Sequence, residues 1–162
     1  MLTGLRPCEW TGSSVVDGQL VVKNAKHSNG RACGEFRRLD LAALAAGEIA
    51  RIEQLSKRLS EGDYALAYAG CRKRLAWLAK ALWPNRKKRP TLYSARHQFS
   101  ADAKKSAMSK AELAACMGHQ SQETAATHYG RRAAGRSPVR VSPCAENLAM
   151  AEGEKAPSPS QS

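Results

Sequence analysis

Long apolar runs are missing from this chain. No window approaches ~18 uninterrupted apolar residues, and residues 1–10 lack the apolar stretch of a signal peptide, which argues against export and membrane spanning. Paired cysteines are missing too. The five cysteines (Cys8, Cys33, Cys71, Cys116, Cys144) include no C-x-x-C pair and no histidine at metal-ligand spacing, so neither a zinc site nor a disulfide framework is expected. A reducing cytoplasm is the expected compartment. Acids are scarce: 14 Asp and Glu stand against 26 Lys and Arg, a formal net charge of +12 that favours a polyanionic partner, most simply nucleic acid. No internal repeat is visible, and 162 residues suit one domain rather than two.

From Arg136 onward large apolar residues are nearly absent and Pro, Ser and Glu take over, so residues 136–162 are expected to be a disordered tail behind a folded domain of residues 1–135. The tail holds three basic residues (Arg136, Arg140, Lys155) and three acids (Glu146, Glu152, Glu154), which leaves the whole net charge on the folded part.

Within residues 1–135 the pattern is α+β and mainly α-helical, with a small antiparallel sheet inserted early. Asp17-Gly18 precedes an extended candidate at residues 19–23, and a second, at residues 34–41, follows the turn-rich Ser28-Asn29-Gly30. Leu41, Leu44, Ala45, Ile49, Ile52, Leu55 and Leu59 recur at helical steps up to Glu61-Gly62. Cys71, Leu75, Leu78 and Leu82 repeat the pattern in a second helix stopped by Pro84, where Trp77 is expected to pack in the core rather than to stack on bases. A third helix is expected after Thr91 as N-cap, running through Arg96, Phe99 and Ala103. Ser109-Lys-Ala-Glu112 is a capping-box pattern opening a short helix that closes at Gly118, and Ser121 is placed to cap a last helix carrying His128 and Tyr129.

Four local patterns follow one another along the chain: Thr3-Gly-Leu-Arg-Pro-Cys-Glu9, Lys26 beside the hairpin turn, Tyr93-Ser-Ala-Arg-His97, and Gly118-His119 with Tyr129 ten residues later. In this order they resemble the signature of the tyrosine recombinase (phage integrase) family, C-terminal catalytic domain. Arg6 and Arg96 fall on the family's two phosphate-clamping arginines, and guanidiniums suit that task as planar, permanently charged, bidentate donors. By the same resemblance Tyr129 is the DNA-attacking nucleophile and His119 the phosphate hydrogen-bond donor. The leaving 5′-oxygen would take its proton from Lys26, with Lys23 as the alternative. Glu9, three residues after Arg6, stands where the family keeps a supporting acid.

Tyr93, a further candidate catalytic residue as a hydrogen-bond donor, occupies a position where the family commonly has histidine or lysine and is a poor base near neutrality, so help in deprotonating Tyr129 is either weak or falls to His97 or His128. The expected activity is DNA cleavage and rejoining through a 3′-phosphotyrosyl intermediate, integrating or excising a mobile element, with no metal or cofactor called for. The expected partners are double-stranded DNA and further copies of the chain, with no membrane and no small-molecule substrate. Arg72, Lys73, Arg74, Arg86, Lys87, Lys88 and Arg89 are candidates for phosphate contact, adding affinity and salt dependence rather than sequence choice. The resemblance begins almost at residue 1, so the family's preceding catalytic helix and core-binding domain are expected to be missing. An inactive remnant that only binds DNA non-specifically is the alternative expectation.

Overall fold

Asp17 and Gly18 both adopt positive φ (49° and 74°), the backbone of a two-residue hairpin turn whose twist matches that of the flanking strands. They join β1 (Ser13–Val16) to β2 (Gln19–Lys23), with Val16 opposite Gln19 and Ser13 opposite Val22. In the computed structural model, which describes residues 2–25, 34–119 and 132–153, β3 (Phe36–Asp40) continues the sheet beside β2 and β4 (Ser142–Pro143) closes its far edge. The order is β1-β2-β3-β4, every neighbour antiparallel. Two strands are expected from the sequence and are present as β2 and β3; the flanking β1 and β4 are additional.

Period-two alternation sends Leu20, Val22 and Leu39 to one face, where all three are buried. Against that face lie the helices that begin at Ala46 and Lys110. α1 (Ala46–Glu61) starts later than the apolar pattern suggests: Leu41 and Leu44 sit in the preceding turn, where the Leu44 amide donates to the Leu41 carbonyl, and both are nevertheless buried. α2 (Tyr64–Leu82) opens at Asp63, whose carboxylate accepts the Leu66 amide at 3.0 Å. α3 (Ser94–Lys105) begins after a turn in which the Thr91 amide donates to Ser94 Oγ at 2.8 Å, so Thr91 lies before the helix rather than capping it.

α4 (Lys110–Met117) carries the expected capping box: Ser109 Oγ accepts the Glu112 amide (3.1 Å) and Glu112 accepts the Ser109 amide (2.7 Å). Six of its eight residues are buried, as befits a helix that is apolar on almost every side. With Phe99 and Ala103 of α3 and Leu5 from the N-terminal segment, it forms the centre of the core.

Two further expectations differ from the structure. Residues 136–153 are not a disordered tail: Asp102 accepts the Arg136 amide at 2.7 Å, Val141 is buried, β4 joins the sheet, and α5 (Ala145–Glu152) packs on α4. Asn147 locks it there, its Oδ1 accepting the Arg38 amide at 2.8 Å. A few well-placed contacts hold a segment that average composition marks as unable to fold. Trp77 is likewise not a core residue, being 70% exposed on the outer face of α2. Among the described residues no helix is long and apolar enough to cross a membrane.

Candidate functional site

Arg6 stands immediately before a 3-10 turn (Pro7–Gly12), with Pro7 in the first position, where its missing N–H costs nothing. Glu9 reaches back from that turn. Its Oε2 accepts the Arg6 amide at 2.8 Å and its Oε1 pairs with the Arg6 guanidinium. The spacing of three between the two residues is therefore a direct ion pair, although Arg6 precedes the helical turn instead of lying inside a helix.

Arg96 enters from α3 and is 0% exposed. Its Nη1 donates to the Gly4 carbonyl at 2.7 Å, and its Nη2 donates to the Met117 carbonyl at 2.6 Å while lying 2.9 Å from His119 Nε2. The same guanidinium comes within 3.8 Å of Glu9 Oε2. His119 is delivered by the end of α4, where Gly118 (φ +62°) takes the left-handed cap and the His119 amide donates to the Ala114 carbonyl at 2.9 Å. A Cβ at Gly118 would fall 2.5 Å from Asn24 Oδ1 and 2.8 Å from Arg37 Nη1, so glycine alone fits this corner.

A third arginine, outside the motifs that mark the other members, completes the cluster. Arg37 projects from β3 into the core: Nη2 donates to Glu9 Oε2 at 2.8 Å, Nε donates to the Cys116 carbonyl at 3.0 Å, and Nη1 bonds Asn24 Oδ1. Its signal is present in the sequence, since Arg37 shares the inward parity of Leu39, and a cation at an inward position needs a buried anion. Glu9 is that anion, linking Arg6, Arg37 and Arg96 at once.

The charges set the protonation states. Burial pushes the Glu9 carboxyl up, but the charge and hydrogen bond of Arg37, followed by the charges of Arg6 and Arg96, bring it down to about 2. Burial lowers His119, and the charges of Arg96, Arg6 and Arg37 add to that effect against the pull of Glu9, leaving it at about 3. At neutral pH His119 is thus an uncharged imidazole, a hydrogen-bonding group rather than a cation. Burial also pushes the Cys116 thiol up to about 12, which makes it inert beside the cluster.

The remaining candidates lie elsewhere. Tyr93, at the start of α3, is 37% exposed with its ring edge-on to the exposed His97. Lys23 points to the outer face of the sheet and pairs with Glu35 at 3.4 Å, on the opposite side from Arg37. Lys26, His128 and Tyr129 lie outside the described residues. Arg72, Lys73 and Arg74 are exposed along α2, and Arg86, Lys87, Lys88 and Arg89 are exposed in the linker that follows it.

No family model, characterised protein or solved structure matches this chain. What the cluster can do follows from its own chemistry. Two guanidiniums paired with a carboxylate that a third arginine keeps ionised form a donor set suited to an oxyanion with more than one acceptor, while the neutral His119 ring accepts from Arg96 through Nε2. Among the described residues, no three His, Cys, Asp or Glu side chains converge as a metal site.

Proposed function

We propose that this chain is a DNA strand transferase of the tyrosine recombinase kind, cutting and rejoining DNA to integrate or excise a mobile element. The observation that carries the reading is the meeting of Arg6, Arg96 and His119, drawn from segments up to 113 positions apart, with both arginines on the one carboxylate of Glu9 and His119 against Arg96. In this reading Tyr129 Oη attacks a DNA phosphorus, the bond to the 5′-oxygen breaks, and a 3′-phosphotyrosyl diester forms. The phenolic proton passes to a nearby base or water. Lys26 protonates the departing 5′-oxygen.

Arg6 and Arg96 bind the non-bridging oxygens as charge accumulates there, with His119 as a further hydrogen-bonding group. Rejoining is the same sequence reversed by a 5′-hydroxyl, so the energy of the broken bond is conserved without a nucleotide cofactor. Double-stranded DNA as substrate, several copies assembled on it, and a cytoplasmic setting belong to the same reading.

A nicked DNA duplex incubated with the chain and run on a denaturing gel tests it. The expected result is a DNA-linked protein band for the wild type that is lost in Tyr129→Phe. No band from either protein overturns the reading. One observation favours a second function, non-covalent DNA binding by an inactive relative: the Arg96 guanidinium is wholly buried and donates to the carbonyls of Gly4 and Met117, so a phosphate would have to displace them. That function gives salt-sensitive binding with no adduct.

A further inference from the structure

From residue 64 to residue 101 the chain contains no Asp or Glu and nine Lys or Arg. Of the nine, Arg96 is buried in the cluster; the other eight, on α2 and the linker behind it, are exposed. α2 itself is thinly covered. Only Ala79 is fully buried, and the half-buried residues Tyr64, Tyr68 and Leu75 mark the same side. Helical spacing puts Leu66, Gly70, Lys73, Trp77 and Lys80 on the opposite side, which faces solvent.

Trp77 therefore stands on the outer face with a lysine about one turn to either side. A Cβ at Gly70 would meet nothing within 4 Å, so the approach to the indole along the helix is open. At the end of α2 the Arg86 guanidinium sits over the Trp83 ring, 5.8 Å from its centroid. Arg89 donates to the carbonyls of Pro84 (2.7 Å) and Trp83 (3.4 Å), folding the basic linker back onto the helix end.

We infer that this face of α2 binds an unpaired DNA strand, with Trp77 stacking on a base and Lys73, Arg74, Lys80 and the linker cations following the phosphates. Charge selects a polyanion, because α2 and the linker behind it carry eight exposed cations and no acid. The exposed indole selects one whose bases are accessible: a duplex hides its base faces, whereas a single strand offers them for stacking. The choice of DNA rests on the strand-transfer reading, in which a cut strand leaves its old partner before joining a new one.

The full chain is titrated with oligo(dT) of about 16 nucleotides, oligo(rU) and duplex DNA of the same length, and heparin, following tryptophan fluorescence. Oligo(dT) is expected to bind tightest and to quench fluorescence, while heparin binds without the quenching that Trp77 contributes. Trp77→Ala should weaken oligo(dT) binding on the order of ten-fold and leave the salt slope unchanged. The double variant Lys73→Ala, Lys80→Ala should flatten that slope by about two phosphate contacts. Trp77→Phe, which keeps an aromatic ring, should bind nearly as the wild type and guards against misreading a folding defect.

The inference is overturned if Trp77→Ala binds oligo(dT) unchanged, if duplex or oligo(rU) is preferred, or if the substitution only dissociates a dimer of this chain in gel filtration. Strand cutting is scored separately on the denaturing gel. Adduct without Trp77-dependent binding sinks this inference alone, and binding without adduct sinks strand transfer alone.

Discussion

Glu9 is the residue on which the buried cluster depends. Its folded carboxyl, held at about 2, lies below its ordinary 4.5, so it lends stability above pH 4.5 that fades as the pH falls towards 2. His119 acts in the same direction from a higher pH. Its folded value of about 3 lies below the ordinary 6.5, so the unfolded chain takes up that proton first, and stability falls as pH drops from 6.5 towards 3. Either group can contribute a slope of up to about 1.4 kcal/mol per pH unit. Urea unfolding followed across this range should show His119→Gln flattening the curve between pH 6.5 and 4.5, with Glu9→Gln flattening it below 4.5. At neutral pH Glu9→Gln should cost about 3–5 kcal/mol, because buried guanidiniums lose their counter-charge. An unchanged acid limb in His119→Gln would mean that the imidazole titrates as if in water. Arg6, Glu9, Arg96 and His119 were legible because each sits in a short local pattern. Arg37 was not, because its importance comes from Glu9 across the sheet and only strand parity hints at it.

At the scale of elements, periodicity shows which residues share a face, but not whether anything packs against it. The stripe of Cys71, Leu75, Leu78 and Leu82 locates α2 correctly, yet Leu78 and Leu82 are exposed, while the side facing the body runs through Tyr68, Leu75 and Ala79. Trp77 stands outside the core for the same reason. β1 has a signal of its own: Asp-Gly between two short apolar runs marks a tight hairpin, and Asp17-Gly18 joins β1 to β2 directly. α4, by contrast, is legible from both ends, with its capping box at Ser109 and Glu112 and its glycine stop at Gly118. Within α2, Gly70 adopts no positive φ, and a Cβ there meets nothing within 4 Å, so the fold does not require glycine. Gly70→Ala should stabilise the protein by about 0.5–1 kcal/mol, seen as a higher midpoint in thermal unfolding. A lower midpoint would place an unseen neighbour on that face.

For the whole molecule, the decisive question is where the folded domain ends. Composition places the boundary at residue 135, yet three separate ties carry the chain beyond it. Asp102 Oδ1 accepts the amides of Arg136 (2.7 Å) and Ser137 (3.3 Å), which fixes the exit from the 3-10 turn Arg132–Ala134. Val141 is buried, and the short β4 then pairs with Leu39 and Asp40, covering part of the edge of β3. Both backbone groups of Arg38 are satisfied from the start of α5: its amide donates to Asn147 Oδ1 and its carbonyl accepts the Cys144 amide at 3.1 Å. A chain stopped after Gly135 would leave those groups without their partners, uncover the edge of β3, and strip α5 from α4. Exposed strand edge and apolar helix surface together favour self-association. Circular dichroism melting and gel filtration of the truncated chain should therefore show a broad, non-cooperative transition and material of high mass, against a sharp transition for the full chain. A truncated chain that melts as sharply, and at the same temperature, would return the domain boundary to residue 135 and make β4 and α5 an appendage.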